Sequence, residues 1–114
     1  MDGDAPGAAD HFTHDALLGE SGIDDVVGRD AIRAFLERGN EVRTVLHHEL
    51  HRIELVDFGE LALEYGWFDE TKSKPGLPEI LERGRTMTLW RHDSDGAWRI
   101  HRLIISDLPT TGAA

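Results

Sequence analysis

The stretch GRTMTLWRHDSDGAWRIHRLIISD, residues 84–107, reads as two strands joined at Asp95-Gly96. An Asp-Gly pair between β-rich runs is a strong short-range hairpin signal, because glycine accepts the positive φ that a tight turn needs. Working backward, GELALEYGWFDET (59–71) sets Leu61, Leu63, Tyr65 and Trp67 against Ala62, Glu64, Gly66 and Phe68. That period of two predicts a strand. Between them KSKPGLPE (72–79) carries Pro75 and Pro78 and reads as a turn-rich connection.

Upstream, GRDAIRAFLERGN (28–40) is the clearest helix. Ala31, Ile32, Phe35 and Leu36 fall at helical spacing, Asp30 suits the positive end of the helix dipole, and Gly39-Asn40 supplies a stop. HDALLGES (14–21) reads as a short strand that ends in an acidic loop. The window EVRTVLHHELHRIELVD (41–57) fits either state. Val42, Val45, Leu46, Leu50, Ile53 and Val56 make a helical stripe, yet its Val, Thr and Ile content favours extended chain. A strand, a helix and then three or four antiparallel strands is an α+β order, with a curved sheet folded over one helix.

The chain has 114 residues, enough for one domain. Residues 1–10 and 109–114 are small, polar and rich in Gly, Ala and Pro, so both read as disordered tails around a domain at 11–108. The net charge of −10 repels phosphate backbones and anionic lipid heads, which argues against nucleic-acid or membrane partners. With no cysteine there are no disulfides, thiolate metal sites or Cys nucleophile, and a cytoplasmic location is expected.

In order and spacing, GRDAIRAFL, GELALEYGWF and GRTMTLWRHDSDGAWRIHR resemble the NTF2-like superfamily, and most nearly its SnoaL-like and DUF4440 branch. The resemblance covers about residues 11–107. It implies a cone-shaped α+β fold in which a curved, mostly antiparallel sheet packs on helices, with 43–56 extended. One fold of this kind serves isomerases, cyclases, dehydratases and association domains, so it does not by itself assign an activity. It also implies a longer N-terminal helix over the mouth of the cone. That helix is expected to be missing or shortened here, either because it lies outside this sequence or because a second chain covers the opening.

The chemistry candidates begin with HHELH, residues 47–51. A zinc-protease helix needs His-Glu-x-x-His, and the position that would close it from His48-Glu49 is Arg52. On a strand, His47, Glu49 and His51 share one face, a ligand set that a divalent ion accepts. The expectation is nonetheless pocket lining or else an exposed or subunit-contact face, with no metal and no cofactor. Taking Ile53 and Leu55 as core residues extends their parity to His51, Glu49 and His47, which would then face the cone, with His48 outside. On the neighbouring strand Glu64, Gly66 and Phe68 follow Ala62 inward. Glu64 would be a partly desolvated acid–base carboxylate, or else the partner of a neighbour such as Arg52. The resemblance places an aspartate inside the cone where this chain has Leu103, and His101, by parity, shares that face as a substitute proton shuttle or as a hydrogen-bonded wall.

Trp90 and Trp98 are expected to pair across the hairpin, and Tyr65 and Trp67 to lie on the outer sheet face. An apolar outer face implies a homodimer through the sheet. The expected function is binding of a small, partly apolar organic molecule, with His47, Glu49, Phe68 and Leu103 lining the pocket. One alternative is a cofactor-free cyclase, isomerase or dehydratase using Glu64, His51 and His101 as catalytic candidates. Another is an association module without chemistry.

Overall fold

A computed structural model of the chain describes residues 5–109. Its elements run α1 (Ala5–Ala9), β1 (Phe12–Glu20), β2 (Val26–Val27), α2 (Arg29–Val42), β3 (Thr44–Asp57), β4 (Leu61–Ser73), β5 (Ile80–His92) and β6 (Trp98–Leu108). All six strands form one curved sheet in the order β2-β1-β6-β5-β4-β3. Neighbours are antiparallel except β1 and β6, which run parallel. No helix among the described residues is long and apolar enough to cross a membrane.

The ambiguous window resolves as strand from Thr44 onward, and the hairpin closes at the Asp95-Gly96 turn, where Gly96 has φ 87°. Helix α2 begins after Gly28 (φ 92°) and passes through Gly39 to Val42, its last turn closed by the Arg43 N–H on the Gly39 carbonyl. Gly39 therefore does not end the helix, because a glycine inside a turn only weakens it by about 1 kcal/mol. A short helix lies inside the expected tail at 1–10. Ala5–Ala9 is helical and Ala9 is fully buried, since residues this small let α1 pack closely on α2. Of the expected C-terminal tail at 109–114, residues 110–114 lie outside the described residues.

Ile32 of α2 packs with Phe12, Ala16 and Leu18 of β1, and Phe35, Leu36, Leu103 and Ile105 complete this core. The core sits at the β1–β6 half of one sheet face, where α2 lies. Cross-strand pairing carries that face across the sheet in a continuous row, Leu18–Leu103–Thr88–Glu64–Leu55. At the β1 end Leu18 is covered by the helix, whereas at the β3 end Leu55 is 48% exposed. The helix thus covers half of the face and leaves the other half open.

Ile32 has no exposed surface and joins helix to sheet. Ile32→Ala is expected to destabilise the fold by about 2–5 kcal/mol, through lost transfer energy plus a cavity. Chemical denaturation of the two proteins measures it.

Candidate functional site

Glu64 lies in the middle of the helix-bearing face and is only 5% exposed. Arg52 Nε donates to its Oε2 at 2.6 Å, and Trp90 Nε1 donates to its Oε1 at 3.0 Å. Both donors lack an acceptor function, so the two oxygens are held in the arrangement a carboxylate needs. The expected pairing of Glu64 with Arg52 is formed. Thr86 and Thr88 are buried beside it on β5. Phe68 sits one register step beyond Gly66, against Gly84, where an added Cβ would meet the Phe68 ring at 2.5 Å and Ile105 at 3.4 Å. Phe68 and Leu103 therefore share the face of Glu64, as expected.

The histidines do not. β3 pairs with β4 through Leu55↔Glu64, then Glu54↔Tyr65, then Arg52↔Gly66, so Ile53 is an extra residue and a β-bulge. A bulge inverts the alternation beyond it. Leu50 and Arg52 consequently join Leu55 on the helix-bearing face, and His48 goes with them, stacked on Phe68 at 5.3 Å. His47, Glu49 and His51 point to the opposite face, which corrects the expectation that they enter the cone with Leu55. Gly66 carries the signal for this step. It stands inside a strand pattern, and a Cβ there would lie 2.5 Å from the His51 carbonyl oxygen.

β6 repeats the effect. Leu89 pairs with Arg102 but Trp90 pairs with Ile100, leaving His101 as the extra residue. His101 lies against Arg91 and Arg102 and meets Thr13 Oγ1 through Nδ1 at 3.0 Å, rather than facing Glu64 with Leu103. The expectation that His101 shares the face of Leu103 fails because the bulge at His101 breaks the alternation of β6. Glu64 is therefore on one face, while His51 and His101 are on the other side at separate places. The register also parts the tryptophans: Trp90 turns to Glu64, and Trp98 pairs with His92 at 5.0 Å between ring centroids.

On the opposite face His51 stacks on Trp67 with ring centroids 4.0 Å apart. Its Nε2 meets Asp69 Oδ2 at 3.0 Å, and His47 Nε2 meets Asp69 Oδ1 at 3.1 Å. The bond to His51, aided by His47, holds the Asp69 carboxyl below its ordinary value. Asp69 escaped the sequence reading because it lies 18 residues from His51 and joins it only through strand pairing. Toward β6 this face is apolar, with Met87 directly opposite Ile104 and Leu61 and Leu63 alongside on β4. Elsewhere, an open groove between Ile23–Val27 and α2 is lined by Val26, Val27 and Phe35 with Asp24, Asp25 and Arg38, away from all of these groups.

A sheet of this order wrapped over α2 is the NTF2-like fold. At 19% identity the chain superposes on a ketosteroid isomerase-like protein from Erwinia carotovora atroseptica with a TM-score of 0.84, over 94% of this chain and 83% of that one. An NTF2-like protein with a cystatin-like fold from Novosphingobium aromaticivorans gives 0.75 at 20% identity, over 98% and 74%. A protein assigned as a calcium/calmodulin-dependent kinase II association domain, from Exiguobacterium sibiricum, gives 0.77 at 13%, over 96% and 81%. No protein-family model and no curated protein matches the chain by sequence. At these identities the likeness establishes the fold.

Two outcomes follow from this geometry. In Glu64→Gln the amide accepts on one side only, so its NH2 faces an Arg52 or Trp90 donor. A loss of about 1–3 kcal/mol is expected in denaturant titrations. For His101, burial and then the charges of Arg102 and Arg91 lower the pKa below its ordinary 6.5. The folded state therefore favours neutral imidazole. Its contribution is full above 6.5 and is lost as pH falls from there through the lower folded value. Histidine NMR titration is expected to show His101 protonating below 6.5, and His101→Gln to remove that part of the pH dependence.

Proposed function

We propose that the chain is a SnoaL-like or DUF4440-like small-molecule-binding domain whose ligand lies on the uncovered half of the helix-bearing face. The observation that carries this reading is the buried Glu64 and its hold on Arg52. Glu64 takes the Nε of Arg52, and the terminal nitrogens of that guanidinium meet no acceptor among the described residues. A guanidinium oriented in this way offers a two-pronged donor to a carboxylate or carbonyl oxygen. Leu50 and Leu55, both half exposed, flank it on β3, and Phe68 stands opposite Leu50 on β4. The ligand class is a small molecule with an acidic or carbonyl head and an apolar body, which suits the mix of apolar wall and few polar anchors typical of such sites. Phe68 and Leu103 keep their place in this reading, whereas His47 and Glu49 leave it.

A cofactor-free acid–base reaction of the isomerase, cyclase or dehydratase kind would rest on Glu64 alone, since His51 and His101 stand on the other face. Binding is therefore the better supported function. Titrating aryl and alkyl carboxylates into the labelled chain is expected to move the Trp90 indole N–H and the Leu55 methyl signals. Arg52→Gln is expected to weaken that binding about tenfold or more, the worth of a hydrogen bond to a charged group. Shifts confined to residues of the opposite face would overturn the reading.

A second reading, self-association, is favoured by the opposite face. Leu61, Met87 and Ile104 are 38%, 41% and 48% exposed there, an apolar patch of the kind that marks a partner surface. The likeness to a protein assigned as an association domain supports the same idea. The chain is expected to sediment as a homodimer, and Ile104→Glu to sediment as a monomer.

A further inference from the structure

The geometry points to a divalent-metal site of the Zn(II) class on the opposite face at the β3 edge, with His47, Glu49 and Asp69 as ligands and His51 as the fourth donor. It lies on the other side of the sheet from the proposed ligand face and does not depend on it. Three observations build it. The first is placement: His47, Glu49 and His51 alternate along β3, and Asp69 is the direct cross-strand partner of the middle one. Four side chains are thereby aimed at one spot by backbone pairing alone.

The second is distance. One ligand atom each from His47, Glu49 and Asp69 lies within 4.8 Å of the others. His47 Nε2 stands 3.1 Å from Asp69 Oδ1 and 3.7 Å from Glu49 Oε1. His51 Nε2 stands 3.0 Å from Asp69 Oδ2 and 4.0 Å from Glu49 Oε2. Donors on one tetrahedral ion, at about 2.0–2.1 Å from it, sit about 3.3 Å from one another, a spacing that His47, Glu49 and Asp69 approach. His51 meets the other oxygen of each carboxylate and must turn further to join them.

The third is charge. Glu49 and Asp69 are like charges in directly opposed positions, which costs stability in a sheet, within a chain of net charge −10. Arg83, next across from Asp69, is not their counter-ion. Its guanidinium lies 5.0 Å from the Trp67 ring centroid and donates to the Pro109 carbonyl. A divalent cation would supply the missing charge. Two imidazoles among the donors select a borderline ion over Mg(II) or Ca(II), which prefer oxygen alone. The ion needs the Nε2 lone pairs, so each neutral imidazole carries its proton on Nδ1 when the site is filled. The stack on Trp67 already fixes the His51 ring plane.

Calorimetric titration of Zn(II) into the full chain, free of any polyhistidine tag and near neutral pH, is expected to show one saturable site per chain. The His47 and His51 ring signals should shift on binding, while those of His92 and His101 stay. Asp69→Asn and His47→Ala should each weaken Zn(II) binding about tenfold or more, and Mg(II) should not compete. Melting in chelator checks that the variants fold, and the exposed Glu49→Gln supplies the same comparison if either does not. Absence of saturable Zn(II) binding overturns the proposal. So does unchanged affinity in the variants, equal binding of Mg(II), or a shift centred on other histidines.

Discussion

A Cβ on residue 66 would lie 2.5 Å from the carbonyl oxygen of His51 and 3.2 Å from Cα of Arg52. Only glycine lets β3 come this close to β4, and the strand takes up the approach by bulging at Ile53. The chemical layout of the sheet depends on that contact. Above the bulge, Leu55 looks toward the helix-bearing face. Below it, Arg52 and Leu50 take that side, and three of the most polar positions of the strand turn to the other. Without the extra residue, Arg52 would turn away from Glu64 and Glu49 away from Asp69.

The division of the two faces follows. On one side a single buried carboxylate is satisfied by Arg52 and Trp90, surrounded by threonines and aliphatic side chains. An ion pair with one partner largely in water does little for stability, so its consequence is orientation of the Arg52 fork. On the other side two imidazoles and two carboxylates gather at the outermost strand, beyond an apolar patch near β6. A charged, polar edge is also how natural sheets discourage strand addition, and β3 is a long edge strand. The same side chains can keep the edge from pairing and present donors to a cation.

Much of the fold was legible. Alternation in 59–71, the Asp-Gly turn at 95–96 and the apolar spacing of 28–40 each reported a local preference, and each appears as an element at nearly the expected place. Faces could be read only as far as alternation continued unbroken. Ala62, Glu64, Gly66 and Phe68 keep one side because β4 runs against β5 without interruption. Parity carried from Leu55 to His51 crossed a bulge and inverted, and that from Leu103 to His101 failed at the bulge itself. The mid-strand Gly66 hinted at the first step, while nothing comparable marked the second.

By itself, then, the sequence determined the α+β order, the α2 helix and the strands within 59–71 and 84–107, because these rest on local periodicity and turn chemistry. The window 41–57 fitted either state until pairing with β4 made it a strand. Tertiary structure alone decided which side chains meet. Arg52 finds Glu64 across 12 positions, Asp69 reaches His47 across 22 and His51 across 18, and Trp90 reaches Glu64 across 26. Such meetings depend on register, and register is set where two strands touch, by the space one residue leaves for another backbone.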